Sequence, residues 1–195
     1  MKVSKRKLKR SFLPYATFHE NGKEQLLLKS LTVFYRHPKN LDTLLFFLKN
    51  RQRRLSLRLL DWLVTNYAKK YKVVVKEQKN IDFMYLAYKN HLKSYSKKFF
   101  DAFARRQRIF YTFNHEVMKV TFKEIDAFLK RDDGFITTIA QMNAFRFFIT
   151  SGVIDYAISH LEDIERDMIS SQAIRSIPLE QEDDQPKKLL DLMDL

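Results

Sequence analysis

Residues 56–71 read SLRLLDWLVTNYAKKY, and their spacing decides the fold class. Apolar side chains recur at Leu60, Leu63, Val64, Tyr67 and Tyr71, three or four residues apart. Such a set shares one face of a helix, with Trp62 close beside the stripe; a strand would alternate instead. Ser56 stands just ahead of the periodic residues, where a hydroxyl accepts from an otherwise unpaired backbone N–H and caps the helix. Only 3 Gly and 4 Pro occur among 195 residues, too few turn formers for a sandwich or barrel of many short strands.

The same period recurs on both sides. Upstream, Leu27, Leu28, Leu31 and Phe34 share a face of a helix expected from Lys23 to Arg36, which Pro38 ends. A second helix is expected from Asn40, as N-cap, to Arg51, burying Leu44, Leu45, Phe47 and Leu48. Pro14 and Asn21-Gly22 bracket an extended stretch from Leu13 to His19. Downstream, Val73-Val74-Val75 reads as a short strand, and residues 81–100 as a helix with Phe83, Leu86, Ala87 and Leu92 inward. Ile109 to Phe113, the loop Asn114-His115-Glu116 and Val117 to Phe122 make a hairpin signal, although the loop lacks a glycine. Lys123 to Arg131 reads as a short helix before a turn at Asp132-Asp133-Gly134. Thr138 to Gln141 is a capping-box pattern that starts a helix ended or kinked at Gly152. A last helix is expected from Val153 to Ser170, with Ile154, Ile158, Leu161, Ile164 and Met168 on one face.

These elements imply a mainly α fold: a compact helical domain with a small β-hairpin or short-stranded sheet. Residues 1–11, MKVSKRKLKRS, are expected to be a flexible basic arm. Residues 12–171 read as a single domain, with a helical subdomain at 12–72 and a helix–hairpin–helix part at 73–171. Residues 172–195 read as an acidic linker and an amphipathic tail. In the tail, Leu189, Leu190, Met193 and Leu195 can share one side of a short helix opposite Asp191 and Asp194, and are read as a partner-docking segment. So short a helix needs a groove to order it.

Hydrophobic residues make up 45% of the chain, enough to bury a core and to exclude disorder for the body. No cysteine occurs, which excludes disulfides and thiolate metal sites. The early apolar residues are interrupted by Pro14 and His19, unlike a signal peptide, and no window of 18 apolar residues suits a membrane span. A reducing intracellular compartment is therefore expected. The net charge is +13, but residues 1–110 hold 27 Lys and Arg against 7 Asp and Glu, whereas residues 111–195 hold 9 against 16. A +20 half beside a −7 half points to a polyanion partner for the first; a solvated Lys-rich face is the alternative.

No motif carries chemistry. The five histidines are scattered, and His115-Glu116 is followed by Lys119 where a zinc protease helix needs its second His. Three glycines are too few for the usual phosphate-cradling loops, and Asp132-Asp133-Gly134 lacks the other ligands of a calcium loop. Glu162, Asp163, Glu165 and Asp167 are spaced as an exposed helix face without a buried partner acid. No catalytic residue, metal site or cofactor is expected, and the chain is read as a binding protein.

Two basic clusters are the candidate site. Lys49, Arg51, Arg53, Arg54 and Arg58 lie between two expected helices, where the Ser56 helix start adds free N–H donors for phosphate. Lys93, Lys97 and Lys98 continue to Arg105, Arg106 and Arg108, with Phe99, Phe100, Phe103, Phe110 and Tyr111 threaded through them. Aromatic rings beside guanidinium groups suit stacking on unpaired bases. The alternative, that the rings are core, is preferred for Phe99, Phe100 and Phe103. Nucleic acid, DNA rather than RNA, is the expected partner.

Three blocks resemble a protein family of nucleocytoplasmic large DNA viruses, of the phycodnavirus, mimivirus and iridovirus kind. They are Leu57–Lys70 (LRLLDWLVTNYAKK), Leu92–Ile109 (LKSYSKKFFDAFARRQRI) and Thr137–Phe145 (TTIAQMNAF). Together they cover roughly residues 55–170. The chain departs from the family's pattern at Ala102, where a proline is expected, and in Lys123–Gly134, which looks like an insertion. The resemblance implies no activity and no catalytic residue. It implies a setting, the host cytoplasm or virus factory, with the nucleus and the virion as further places. There a basic protein would act on the viral genome in packaging, condensation or transcription, or alternatively serve as a minor capsid or internal virion protein. Viral structural or transcription proteins are the expected partners of the acidic tail.

Overall fold

The structure, a computed structural model, describes residues 22–49, 54–77 and 80–175. The basic arm, the Leu13–His19 stretch, Arg51, Arg53 and the tail with Leu189, Leu190, Met193 and Leu195 lie outside the described residues.

The chain is mainly helical, with short strands. Helix α1 spans Gly22–Tyr35 and α2 spans Pro38–Lys49. Pro38 opens α2 as well as closing α1, since a first helical residue has no N–H to lose. Asn40 is therefore inside the first turn and not the N-cap; its Nδ2 donates to the Phe34 carbonyl at 2.9 Å. Ser56 does cap α3 (Leu57–Trp62), its Oγ accepting from the Leu59 N–H at 3.3 Å. The helix then widens into a π turn at Leu63–Tyr67 and closes with α4 (Ala68–Lys70). Leu60, Leu63, Val64 and Tyr67 are buried as the spacing predicts, and so is Trp62; Tyr71, past the helix end, is exposed.

Strand β1 (Val74–Glu77) pairs antiparallel with β2 (Asn80–Phe83), Val74 opposite Phe83. This ribbon takes the residues expected to begin the next helix, so α5 runs Met84–Phe99. Its inward residues are Met84 and Ala87, while Phe83 and Leu86, expected inside, are exposed. The hairpin forms from β3 (Arg108–Thr112) and β4 (Val117–Lys119), with Phe110 opposite Met118. In place of a glycine, His115 adopts φ 66°, and its Nδ1 meets the Tyr111 hydroxyl at 2.9 Å.

A third strand, β5 (Gly134–Thr138), lies antiparallel on the free edge of β3, giving the order β4-β3-β5. The sequence reading has only a turn and a helix lead-in there. The Lys123–Arg131 helix is shortened to a 3-10 turn (Phe122–Glu124) and α6 (Ile125–Leu129). Thr138 caps α7 (Ile139–Thr150), its Oγ accepting from the Gln141 N–H at 3.0 Å, but the reciprocal half of a capping box is absent because the Gln141 side chain points elsewhere. Gly152, at φ 72°, turns the chain into α8 (Val153–Ser159). A break at His160 separates it from α9 (Leu161–Arg175), so the expected last helix is two, and Ile158 is exposed. Helix α9 also continues past Gln172, where the linker was expected.

Helices α1, α2, α5 and α8 pack around α7, whose Met142, Phe145, Phe147 and Phe148 are buried. The Tyr35 hydroxyl reaches into this core and donates to the Met142 carbonyl at 2.7 Å; burial pushes its pKa well up, so it stays a neutral donor. A smaller cluster of Phe110, Val120 and Phe128 lies between the three-stranded sheet and α6.

Candidate nucleic-acid interface

Lys49 and Arg58 of the first basic cluster and Arg108 of the second line one cleft of about 980 Å³. One wall is the end of α2 and the start of α3, with Leu48, Lys49, Leu57 and Arg58. The opposite wall is α6 and β5, with Ile125, Phe128, Leu129 and Phe135. Phe103, Ala104 and Arg108 close it from the loop before β3. The Lys123–Gly134 segment, which resembles an insertion, thus supplies much of one wall.

The loop that brings the second cluster here is pinned from behind. Asn143 Nδ2 donates to the Phe99 carbonyl at 2.9 Å, and Gln141 Nε2 to the Ala102 carbonyl at 2.6 Å. The Gln141 Oε1 in turn accepts from the Thr137 hydroxyl at 3.0 Å. Buried Asp101 accepts from the Phe103 N–H at 3.1 Å and from Arg105 Nε at 3.0 Å. Ala104 takes φ 53°, a strained value for a residue with a Cβ, and so turns Phe103 outward. Phe103, expected in the core, is 37% exposed, with the Arg105 guanidinium 5.1 Å from its ring centre.

Charge compensation separates the candidates. Arg54 is paired with Glu165 at 2.6 Å, which raises its pKa through that hydrogen bond and charge. Arg105 is held by Asp101, and Arg131 by Asp133 while lying 4.7 Å from the Phe110 ring centre. Lys49, Arg58 and Arg108 line the cleft, are exposed, and have no carboxylate partner among the described residues. For Arg54 the partner is 111 residues away, whereas Arg105 and Arg131 pair with carboxylates four and two residues from them.

The remaining candidates fall elsewhere. Lys93, Lys97 and Lys98 are exposed along the end of α5, where Ser96 departs from helical geometry at φ 56°, and Lys98 Nζ lies 5.0 Å from the Phe99 ring centre. Arg106 joins that strip, its Nε donating to the Lys97 carbonyl at 3.2 Å. None of these lines the cleft. Phe110 and Tyr111, considered for stacking, are fully buried because β3 is the central strand of its sheet, and Phe100 is core.

The acidic face of α9 also differs from expectation. Glu162 and Asp163 are exposed, but Asp167 is 6% exposed and is the acceptor for Trp62 Nε1 at 2.9 Å, Lys70 Nζ at 2.5 Å and the Tyr71 hydroxyl at 3.2 Å. It fastens α9 to the α3–α4 helix. Among the described residues no group of three or more His, Cys, Asp or Glu side chains is placed to hold a metal ion, and no helix is long and apolar enough to cross a membrane.

A family model described as a family of unknown function (DUF7197) matches residues 15–177, a span that contains the whole cleft. An "Uncharacterized protein L507" of Acanthamoeba polyphaga mimivirus is 33% identical over 148 residues, 74% of this chain and 52% of that protein. The chain therefore spans about half the length of this relative. No solved structure matches.

Proposed function

Because the chain belongs to the DUF7197 family, a family of unknown function, and is similar to a giant-virus protein, we propose that it is a non-enzymatic nucleic-acid-binding accessory protein of a large DNA virus. One observation carries this reading: three cations without a carboxylate partner among the described residues, Lys49, Arg58 and Arg108, are brought from three elements to a single cleft. Cations held together without carboxylates repel one another, and a phosphate backbone relieves that repulsion while releasing its own counterions. The +20 charge of residues 1–110 extends the attraction beyond the cleft. DNA is the partner, and packaging, condensation or transcription in the host cytoplasm or virus factory is the setting.

The test is DNA binding by fluorescence anisotropy over a range of salt. The triple variant Lys49→Gln/Arg58→Gln/Arg108→Gln is expected to flatten the salt slope by roughly 0.7–0.9 per lost contact, about 2–3 in all, with the melting temperature unchanged. A parent that fails to bind, or a slope untouched by the triple change, refutes the reading.

A second reading, a minor capsid or internal virion protein, is favoured by exposed apolar side chains: Leu26 and Val33, seven residues apart on α1, and Phe122, which is 88% exposed. Co-purification that survives nuclease treatment would support it over the first.

A further inference from the structure

The shape and chemistry of the cleft distinguish the forms that its ligand can take. A duplex offers its phosphates on a convex surface and its base edges inside grooves, which a protein reads by inserting a helix or ribbon. Here the described residues form a recess. The cations line it together with the apolar side chains of Leu57, Leu129 and Phe103, of which Leu129 is 66% and Phe103 37% exposed. A duplex lying across the cleft would touch Lys49, Arg58 and Arg108 and leave that apolar lining wet. An unpaired strand satisfies both parts: phosphates meet the cations while bases turn inward and cover apolar surface. Arg105 lies over Phe103, making a cation–aromatic pair beside which a base can stack.

The size agrees, since about 980 Å³ is at the upper end of the roughly 300–1,000 Å³ that pockets for small molecules occupy, so more than one base fits. Apart from the three cations, the polar side chains Gln141, Thr137 and Ser56 of the lining are already engaged. Gln141 bonds Thr137 and the Ala102 carbonyl, Ser56 caps α3, and no buried side-chain donor or acceptor is left without a partner among the described residues. Recognition by base edges needs free donors and acceptors, whereas stacking needs only a ring.

We infer that the cleft binds an unpaired stretch of DNA, stacking bases on Phe103 without reading their sequence. This rests on the nucleic-acid reading above and deepens it. The acidic amphipathic segment at the end of this chain has a related chemistry, apolar on one side and anionic on the other, and is the competing occupant.

The experiment measures anisotropy of labelled 20-nucleotide probes with the full chain near physiological salt: oligo-dT, a mixed single strand, the same sequence as duplex, and the same sequence as RNA. The expected result is at least tenfold tighter binding to either DNA single strand than to duplex, and less than about threefold difference between the two single strands. Phe103→Ala is expected to weaken single-strand binding roughly tenfold, within the range measured for one base–aromatic stack, and to leave duplex binding and melting temperature unchanged. Phe103→Trp is expected to keep the parent affinity. Duplex bound as tightly as single strand overturns the inference and leaves the proposed function standing. Failure to bind any probe removes both. An unchanged single-strand affinity in Phe103→Ala overturns the stacking site, a strong preference for one sequence overturns the lack of readout, and RNA bound tenfold tighter overturns the DNA assignment.

Discussion

Replacing Asp167 by Ala removes the carboxylate that accepts from the buried Trp62 indole N–H and with it the tie between α9 and the α3–α4 helix. The indole nitrogen is left in a closed site, which costs about 1–3 kcal/mol for an unmet donor. Tyr71 is exposed and Lys70 projects to solvent, so both regain water and add little. A loss of roughly 2–3 kcal/mol follows, and at about 2–4 °C per kcal/mol for a domain of this size the melting temperature falls by roughly 5–10 °C. Trp62→Phe deletes the same hydrogen bond from its other end. The two changes should therefore not add: the double variant is expected to lose about 1–2 kcal/mol less than the sum of the singles. Circular dichroism melts and urea titrations of the four proteins measure this. Additivity within about 0.5 kcal/mol, or an Asp167→Ala melt within a degree of the parent, would refute the account. The pH dependence supplies a second check. Burial alone pushes the Asp167 carboxyl up, but the Lys70 and Trp62 hydrogen bonds and the Lys70 charge outweigh it and hold the pKa below the usual carboxylate value. A folded pKa below the unfolded one means that the stabilisation is present above about pH 4 and is lost as pH falls through the folded value. The gap between parent and Asp167→Ala should be full at neutral pH and narrow only in acid.

Gly134→Ala would place a Cβ against the Tyr111 carbonyl and 2.8 Å from the Phe110 ring, both on the neighbouring strand. A cost of about 1–3 kcal/mol is expected in urea titration, and an unchanged midpoint would contradict the β3–β5 pairing. Deleting residues 179–195 removes six acids and two lysines and raises the net charge by four. If that segment masks the basic half, the shortened chain binds nucleic acid more tightly at low salt, with the difference fading as salt rises; equal affinity at every salt concentration refutes masking.

Much of the fold is written locally. The face at Leu60, Leu63, Val64 and Tyr67, the Ser56 and Thr138 caps and the break at Gly152 all depend on residues within one or two turns, and each is found where the spacing places it. Helix period and cap chemistry act through neighbours three or four apart, so sequence alone determines them. Strand β5 shows the limit. Its five residues carry no period of their own, and Gly134 is required only because Tyr111 and Phe110 pass close by in space. Strand β1 was legible as Val73-Val74-Val75, but its partner β2 escaped for a similar reason, since a four-residue strand is indistinguishable from the first turn of the helix that follows it.

The candidate site divides along the same line. Its residue types were legible as two runs of Lys and Arg, because charge density is a property of composition. Which of them remain available was not. Arg54 is neutralised by Glu165, 111 residues away, and Arg105 by a buried Asp101 that also holds the Phe103 N–H. Lys49, Arg58 and Arg108 come together only once α2, α3 and β3 have packed, leaving Phe103 turned outward and Phe110 turned in. Sequence determined the helices, the caps and the excess of positive charge, since these follow from short-range chemistry. The tertiary structure decided which charges are paired and which ring faces solvent, because an ion pair or a buried face is defined by a neighbour that chain order does not specify.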